Sequence, residues 1–551
     1  MRTRVPFALA ILLVGCGTAN VGGAVDSKPG DPDANVPQPD APPPIDPDDP
    51  GAADVHVTVD STKDAHAISP FVYGTNGPDW SKDAALYAVA RSGGNRMTAY
   101  NWENNASNAG TDYLNENDAY LGGGDTPGKA VTDPIADAHA HGAAEIITIP
   151  IQGYVAADKS PGGDVDQTPN YLQTRFKVSK STKGSAFTTT PDVNDGFVYQ
   201  DEFVSFVEGK FPESRTDANK TIFYDLDNEP DLWNSTHPRI HPDPVKYAEL
   251  IADNIEYAEA IKKVAPAAKV FGFVSYGWAG YVNLQNAPDG AGRDFIDTYL
   301  DAMHAEDTKT GTRAVDVLDL HWYPEAQGGG TRITDDGAGA ALAAARVQAP
   351  RSLWDDSYVE QSWITQCCSD GAIRLIPRLK EKIAAHYPGT QLSFSEYYYG
   401  GGADISGGVA QADVLGVFGR EGVFAATLWH IGNTDDAFIK AGFAMFRTAG
   451  GGFGDTSIHA DSDHVDQVSA YASQDSHDYN RVVVVLINRS TAARSAGLRI
   501  THGVRFHSAE VWRLTSASST PAHDADISIT LTNAFVAQLP AMSVTTLVLR
   551  P

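Results

Sequence analysis

Two glutamates stand where carboxyl groups can do chemistry. Glu229 closes the run "TIFYDLDNEP" that starts at Thr221, and Glu396 lies in "QLSFSEYYYG", which starts at Gln391. Each follows apolar residues directly, so substantial burial is expected. A strand that runs into an acid between an amide and a proline is poor packing material, but it suits a strand that opens on a cleft. Two carboxyls flanking one bond can cleave a glycosidic linkage with retention when they stand roughly 5–5.5 Å apart. One is protonated and gives its proton to the leaving oxygen. The other is ionised and attacks. Apolar surroundings and a neighbouring anion raise the pKa of the first. A lone glutamate at a strand end more often pairs with an arginine, so it is the pair that carries the catalytic reading. Asn228, beside Glu229, can hydrogen-bond a sugar hydroxyl near that bond; its other reading is a turn former.

Aromatic residues give a second argument. Of the nine Trp, five fall at or just beyond expected strand ends: Trp102, Trp233, Trp278, Trp322 and Trp429. Indoles offer flat apolar surface and one N–H, which suits the apolar faces of sugar rings. Arg96, Asn101 and Glu103 cluster near the end of a second run. His321 and Tyr323 crown a sixth, and Tyr398 follows Glu396. All of these are expected to contact substrate. The acidic stretch "DVNDGFVYQDE" from Asp192 has the oxygens for calcium but not the spacing of an EF-hand loop.

The elements that must position these residues follow from hydrophobic pattern. Eight apolar runs start at Ile68, Gly93, Ala144, Thr221, Lys269, Val315, Gln391 and Gly422. Helical periods lie between several of them. One starts at Asp243 and places Ala248, Ile251, Ile255, Ala258 and Ile261 on one face; another is "IPRLKEKIAAHYPG" before the seventh run. Strands alternating with helices predict a (β/α)8 TIM barrel over residues 66–450, with its active site at the C-terminal ends of the strands. Runs four and seven then face each other across the mouth. Residues 451–551 carry short strands without helical periods, at Arg481, Ala509, Ile527 and Ser543, and predict a C-terminal β-sandwich domain. The alternating "VHVTVD" at Val55 predicts that residues 55–65 join this sandwich.

The N-terminus predicts export. Arg2 and Arg4 precede the apolar run "VPFALAILLV", and "LVGC" ends at Cys16. This resembles a bacterial lipobox, which makes residues 1–16 a lipoprotein signal and Cys16 the lipidated residue. Gly17 favours the outer membrane or cell surface, or release outside the cell. Residues 17–54 are rich in Asp and Pro, with almost nothing to bury, and predict a disordered tether. The formal charge of −29, from 70 acidic and 41 basic residues, argues against a nucleic-acid partner. The membrane enters only through the lipid. Cys367 and Cys368 are adjacent, and no disulfide framework is expected.

The longer strings carry a resemblance. "NRMTAYNWENNASNAGTDY" from Asn95, "DNEPDLWNSTHPRIHP" from Asp227, "DVLDLHWYPEA" from Asp316, "SYVEQSWITQ" from Ser357 and "SFSEYYYGG" from Ser393 resemble glycoside hydrolase family 44. The resemblance covers residues 55–551. It implies a retaining endo-β-1,4-glucanase active on cellulose-type chains or xyloglucan, with Glu229 as acid/base and Glu396 as nucleophile. It implies a monomer, no cofactor for catalysis, and room for a structural calcium ion whose ligands it does not assign. The competing readings are a retaining barrel hydrolase for xylan or mannan, and a surface glycan-binding protein without turnover.

Overall fold

The computed structural model describes residues 42–335, 337–431 and 435–551. The signal, Cys16 and the tether up to residue 41 lie outside the described residues. Among the described residues, eight parallel strands close a barrel: Gly74–Asn76, Val89–Ser92, Ala144–Ile149, Ile222–Leu226, Val270–Ser275, Val317–Trp322, Gln391–Tyr397 and Ala425–Leu428. They are numbered one to eight below. Strands three to six are buried on both faces, as a barrel covered by helices requires. Four aromatic rings, Phe71, Phe223, Phe271 and Phe424, plug the N-terminal end of the barrel.

The helices between strands follow the sequence pattern. Tyr247–Val264 begins where Glu249 reaches back to the Lys246 N–H, and carries Lys262 and Lys263 in its last turn, where cations suit the helix dipole. Helix Ile405–Arg420, between strands seven and eight, is buried along almost its whole length. Its Asp413 pairs with Arg489 of the second domain and accepts from Tyr471 at 2.8 Å. No helix among the described residues is long and apolar enough to cross a membrane.

Two of the eight runs are placed differently from expectation. Pro70–Val72 is a 3-10 turn and strand one starts only at Gly74. Strand two is Val89–Ser92, upstream of the run at Gly93, which instead forms the short helix Asn95–Thr98 and a long loop. Gly93 and Gly94 follow the strand, where neighbouring side chains leave little space for a β-carbon. A β-carbon on Gly93 would stand 2.3 Å from the Arg91 guanidinium carbon, and one on Gly94 would stand 2.6 Å from the Trp429 ring.

The second domain is the β-sandwich. Val55–Asp60 lies between Thr456–Ser462, antiparallel, and Arg494–Thr501, parallel. Val55, Val57 and Val59 alternate into the core with Leu486, Leu498, Phe506 and Leu547. The strand expected at Ile527 ends at Ser528, and the next one is Ala534–Leu539. The sequence predicts a tether up to residue 54, but residues 42–54 are ordered against the second domain. Residues 42–54 lie along the sandwich, with Ile45 N–H donating to His502 O at 2.9 Å and Asp48 N–H to Thr532 O at 2.8 Å. The Asp54 carboxylate accepts from Ser495 N–H at 2.7 Å. Asp and Pro need no core of their own when their carboxylates and carbonyls meet backbone groups of a neighbouring sheet. Cys367 and Cys368, both exposed at the end of helix Trp363–Cys367, are joined by a disulfide, a bond not expected between neighbours.

Candidate active site

Strand four delivers Glu229 through a tight turn. Asp227 has φ 69° and Glu229 φ 43°, left-handed values that cost residues with a β-carbon and persist where neighbours hold them. Here the Asp227 carboxylate accepts from Ile151 N–H at 2.7 Å, Gln152 N–H at 3.2 Å and Asn228 N–H at 2.9 Å. The Glu229 N–H donates to Val274 O at 2.9 Å. Pro230 then starts a 3-10 turn that leads the chain off the barrel rim.

Glu396 projects from strand seven. Its Oε1 accepts from Arg91 Nη1 at 2.8 Å and its Oε2 from the Tyr323 hydroxyl at 2.7 Å. His321, fully buried on strand six, bridges the pair: Nδ1 lies 2.9 Å from Glu229 Oε1 and 3.4 Å from Glu396 Oε2. One oxygen of each glutamate and the imidazole nitrogen all lie within 4.8 Å of one another. Arg91 spends its whole guanidinium on this floor. Nε donates to Asp225 Oδ2 at 3.0 Å and Nη2 to Asn228 Oδ1 at 3.0 Å. Asn228 Nδ2 in turn donates to Asn95 Oδ1 at 3.2 Å.

The two acids sit in unequal surroundings. Burial pushes Glu229 up to about 7, and Arg91 opposes this only in part. Glu396 has a cation on one oxygen and a phenol on the other. Burial lowers His321 to about 4, so its imidazole is neutral near pH 7. The site thus holds one proton-bearing acid and one ion-paired carboxylate, bridged by a neutral imidazole and able to flank a single bond.

The structure brings together Glu229, Glu396, Asn228, His321, Tyr323 and Trp429, the last half-buried over Gly94. It does not bring the others to the cleft. Trp102 is fully buried and packs on Phe203 and Phe206, with ring centres at 5.6 and 5.2 Å. Trp233 is buried beside His241. Trp322 is buried with its indole N–H on the Tyr399 hydroxyl, and Trp278 is buried under Arg378. Tyr398 is buried against His430. Asn101 donates to Ala156 O, Glu103 pairs with Lys177 at 2.7 Å, and Arg96 pairs with Asp118 at 2.8 Å. For Arg96, Asn101, Trp102 and Glu103 the physical reason is shared. Strand two ends at Ser92, so they lie on the long connection after it, and Trp102 turns into the barrel's main core against helix Gln200–Lys210. Trp102→Ala is therefore expected to cost about 3–5 kcal/mol of stability and leave KM nearly unchanged; urea unfolding and polymer kinetics measure the two effects.

Sequence reading missed Arg91, Asn95 and Asp225. The available signal was a lone arginine inside the apolar "AVARS", since a buried charge must find a partner. Near Asp192, Asp195 stands 3.9 Å from the Lys177 ammonium that already serves Glu103.

Fold and site together define a barrel glycosidase. The family model of glycoside hydrolase family 44 matches residues 106–326. Endoglucanase A of Paenibacillus lautus is 40% identical over 517 residues, covering 91% of this chain and 73% of that protein. A family 44 xyloglucanase from Paenibacillus polymyxa, solved with xyloglucan, superposes with TM-score 0.86 at 38% identity, covering 90% of this chain and 99% of the other. A family 44 endoglucanase from Clostridium thermocellum superposes with TM-score 0.86 at 39% identity, covering 91% and 100%. The chain belongs to glycoside hydrolase family 44.

Proposed function

We propose that the protein is a retaining endo-β-1,4-glucanase acting on cellulose-type β-glucan or xyloglucan. The observation that carries the mechanism is the separation of the two carboxylates. An oxygen of each lies within 4.8 Å of the other, a close approach that favours the roughly 5–5.5 Å spacing of a retaining pair over the roughly 6.5–9.5 Å of an inverting one. Glu396 attacks the anomeric carbon as Glu229 gives its proton to the departing oxygen. A covalent glycosyl ester forms and the polymer's leaving part departs. Glu229, now ionised, takes a proton from water, the water oxygen attacks the same carbon, and the Glu396 carboxylate is released. Tyr323 and Arg91 orient Glu396 throughout, and Asn228 stands beside the bond. No step calls for a cofactor. The named activities of the relatives support the substrate class.

A panel of carboxymethyl-cellulose, xyloglucan, xylan and mannan tests the reading. Release of reducing ends from β-1,4-glucans by the wild type, absent in Glu396→Gln, is the expected result. Activity on xylan or mannan alone would keep the mechanism and change the substrate. Binding without turnover on every polymer would make it a glycan-binding protein. For Glu229→Gln, a drop of about 10²–10⁴-fold is expected on polymer and much less on an aryl glycoside whose leaving group needs no proton.

The pH dependence follows from Glu229. The acid must be protonated in the free enzyme, and its pKa is raised to about 7 by burial. Activity is thus present below that value and lost above it. kcat/KM on xyloglucan or carboxymethyl-cellulose is expected to fall with a midpoint near pH 7, about tenfold per further unit. A profile flat to pH 9 would remove Glu229 from the acid role.

We further propose export and lipidation at Cys16, on the strength of the N-terminal pattern. Cys16→Ala should move the protein from membrane to soluble fractions, with a matching loss of acyl mass. A structural calcium ion stays an expectation of the family resemblance.

A further inference from the structure

Strand seven carries one residue more than its neighbours, and that residue decides where the nucleophile points. Against strand six, Leu320 stands opposite Phe394 and His321 opposite Glu396, so Ser395 has no counterpart. Against strand eight, Ala426 stands opposite Phe394 and Leu428 opposite Tyr397, again one residue too many in strand seven. The side chains record the same slip. Phe394 and Tyr397 both pack on Phe418 of helix Ile405–Arg420, with ring centres at 5.6 and 5.2 Å. The Tyr397 hydroxyl accepts from Gln411 of that helix at 2.8 Å. Residues three apart in an unbroken strand face opposite sides. With regular alternation after Phe394, Glu396 would turn to the helix and Tyr397 to the cleft. A β-bulge at Ser395 reverses that.

A bulge leaves its extra residue outside the ladder, and buried backbone groups need partners. Ser395 is fully buried, and side chains from three other strands meet its backbone. Its N–H donates to Asp319 Oδ1 on strand six at 3.0 Å. Its carbonyl accepts from Asn76 Nδ2, at the end of strand one, at 3.1 Å, and from the Thr427 hydroxyl on strand eight. Asp319 and Thr427 are themselves fully buried.

We propose that Asp319 is a positioning residue for the nucleophile. With Thr427 and Asn76 it clamps the Ser395 bulge and so aims Glu396 at Arg91 and Tyr323. The role is geometric: the carboxylate holds one backbone amide, and any acceptor in the same place serves. The catalytic consequence rests on the retaining-glucanase reading; the aim of the Glu396 side chain does not.

The test compares wild type with Asp319→Ala, Asp319→Asn and Thr427→Val. The first removes the acceptor. The second removes the charge and keeps an amide oxygen in its place. The third removes the hydroxyl donor with little change of shape. Three readouts are needed: crystal structures, kcat and KM on xyloglucan, and the rate at which an activated 2-deoxy-2-fluoro-β-cellobioside labels Glu396, followed by mass spectrometry. That reagent stops at the glycosyl ester and so reads the attack alone. In Asp319→Ala the Glu396 carboxylate is expected to leave Tyr323, and kcat and labelling to fall about 10²-fold, the cost of roughly an ångström of misplacement, with KM little changed. Asp319→Asn should recover most of both rates, and Thr427→Val should show a smaller loss of the same kind. A loss in Asp319→Asn as large as in Asp319→Ala would make charge the cause and overturn the clamp. So would an unmoved Glu396 in Asp319→Ala, or in Thr427→Val if the alanine variant does not fold. Lower stability with wild-type kcat would also overturn it. A wild type that neither cleaves nor is labelled would defeat the glucanase reading, and the crystal comparison would still decide the clamp.

Discussion

Glu396→Gly is expected to lower kcat on β-glucan by about 10⁴–10⁶-fold, because the first covalent step loses its attacking atom. Sodium azide should then restore part of the turnover on an aryl glucoside-type substrate. Azide fits the space left by the carboxylate, attacks the anomeric carbon from that face and gives the α-glycosyl azide as the leaving group departs. Glu229→Gly should instead give the β-azide, since Glu396 still forms the ester and azide enters from the opposite face. NMR of the azide products reads the configuration directly. A β-azide from the Glu396 variant would exchange the two roles, and wild-type rates in that variant would remove the nucleophile altogether.

Arg91→Met is the second large effect. Arg91 is fully buried and ion-paired to both Asp225 and Glu396. Removing the cation leaves two buried carboxylates without it, a loss of about 3–5 kcal/mol in unfolding free energy. Asp225 Oδ1 and Asp319 Oδ2 already have no hydrogen-bond partner among the described residues, so losing Arg91 would leave these buried carboxylates still less satisfied. Arg91→Lys keeps the charge, but a single ammonium cannot reach Asp225, Asn228 and Glu396 in the fork geometry of a guanidinium. It should fall between wild type and Met in stability and show kcat well below wild type. Urea midpoints and kcat on xyloglucan check both. Wild-type stability in Arg91→Met would show that the pair is not holding the barrel floor together.

Much of this was readable before any coordinates, and the failures share a cause. Glu229 and Glu396 stood out because an acid at the end of an apolar run violates the packing pattern, and the structure sets both against His321 at the strand ends. His321 and Tyr323 stood out as polar residues crowning the sixth run. Trp102, Trp233, Trp278 and Trp322 misled because an indole at a strand end looks alike whether it faces a sugar or the core. Periodicity cannot tell them apart, and the displaced end of strand two moved Asn101, Trp102 and Glu103 onto the connection after it, where Trp102 packs into the main core. Arg91 was missed for the opposite reason: it sits inside a four-residue strand, too short for any pattern to mark its direction. The sandwich was legible as a class but not in detail, since strands such as Arg494–Thr501 mix polar and apolar residues on half-covered faces.

The path of the first described residues has a mechanical meaning. A pull on the chain at residue 42 would act first on isolated hydrogen bonds, at Ile45, Asp48 and Asp54, which can peel away one after another. It would then meet Val55–Asp60, whose residues are paired to Arg494–Thr501 on one side and Thr456–Ser462 on the other. A force along that strand loads both ladders in shear and spreads over many bonds together. The barrel joins the chain only beyond this clamp, so tension from an N-terminal attachment would be borne by the sandwich, and the carboxylate spacing in the cleft would be kept out of the load path.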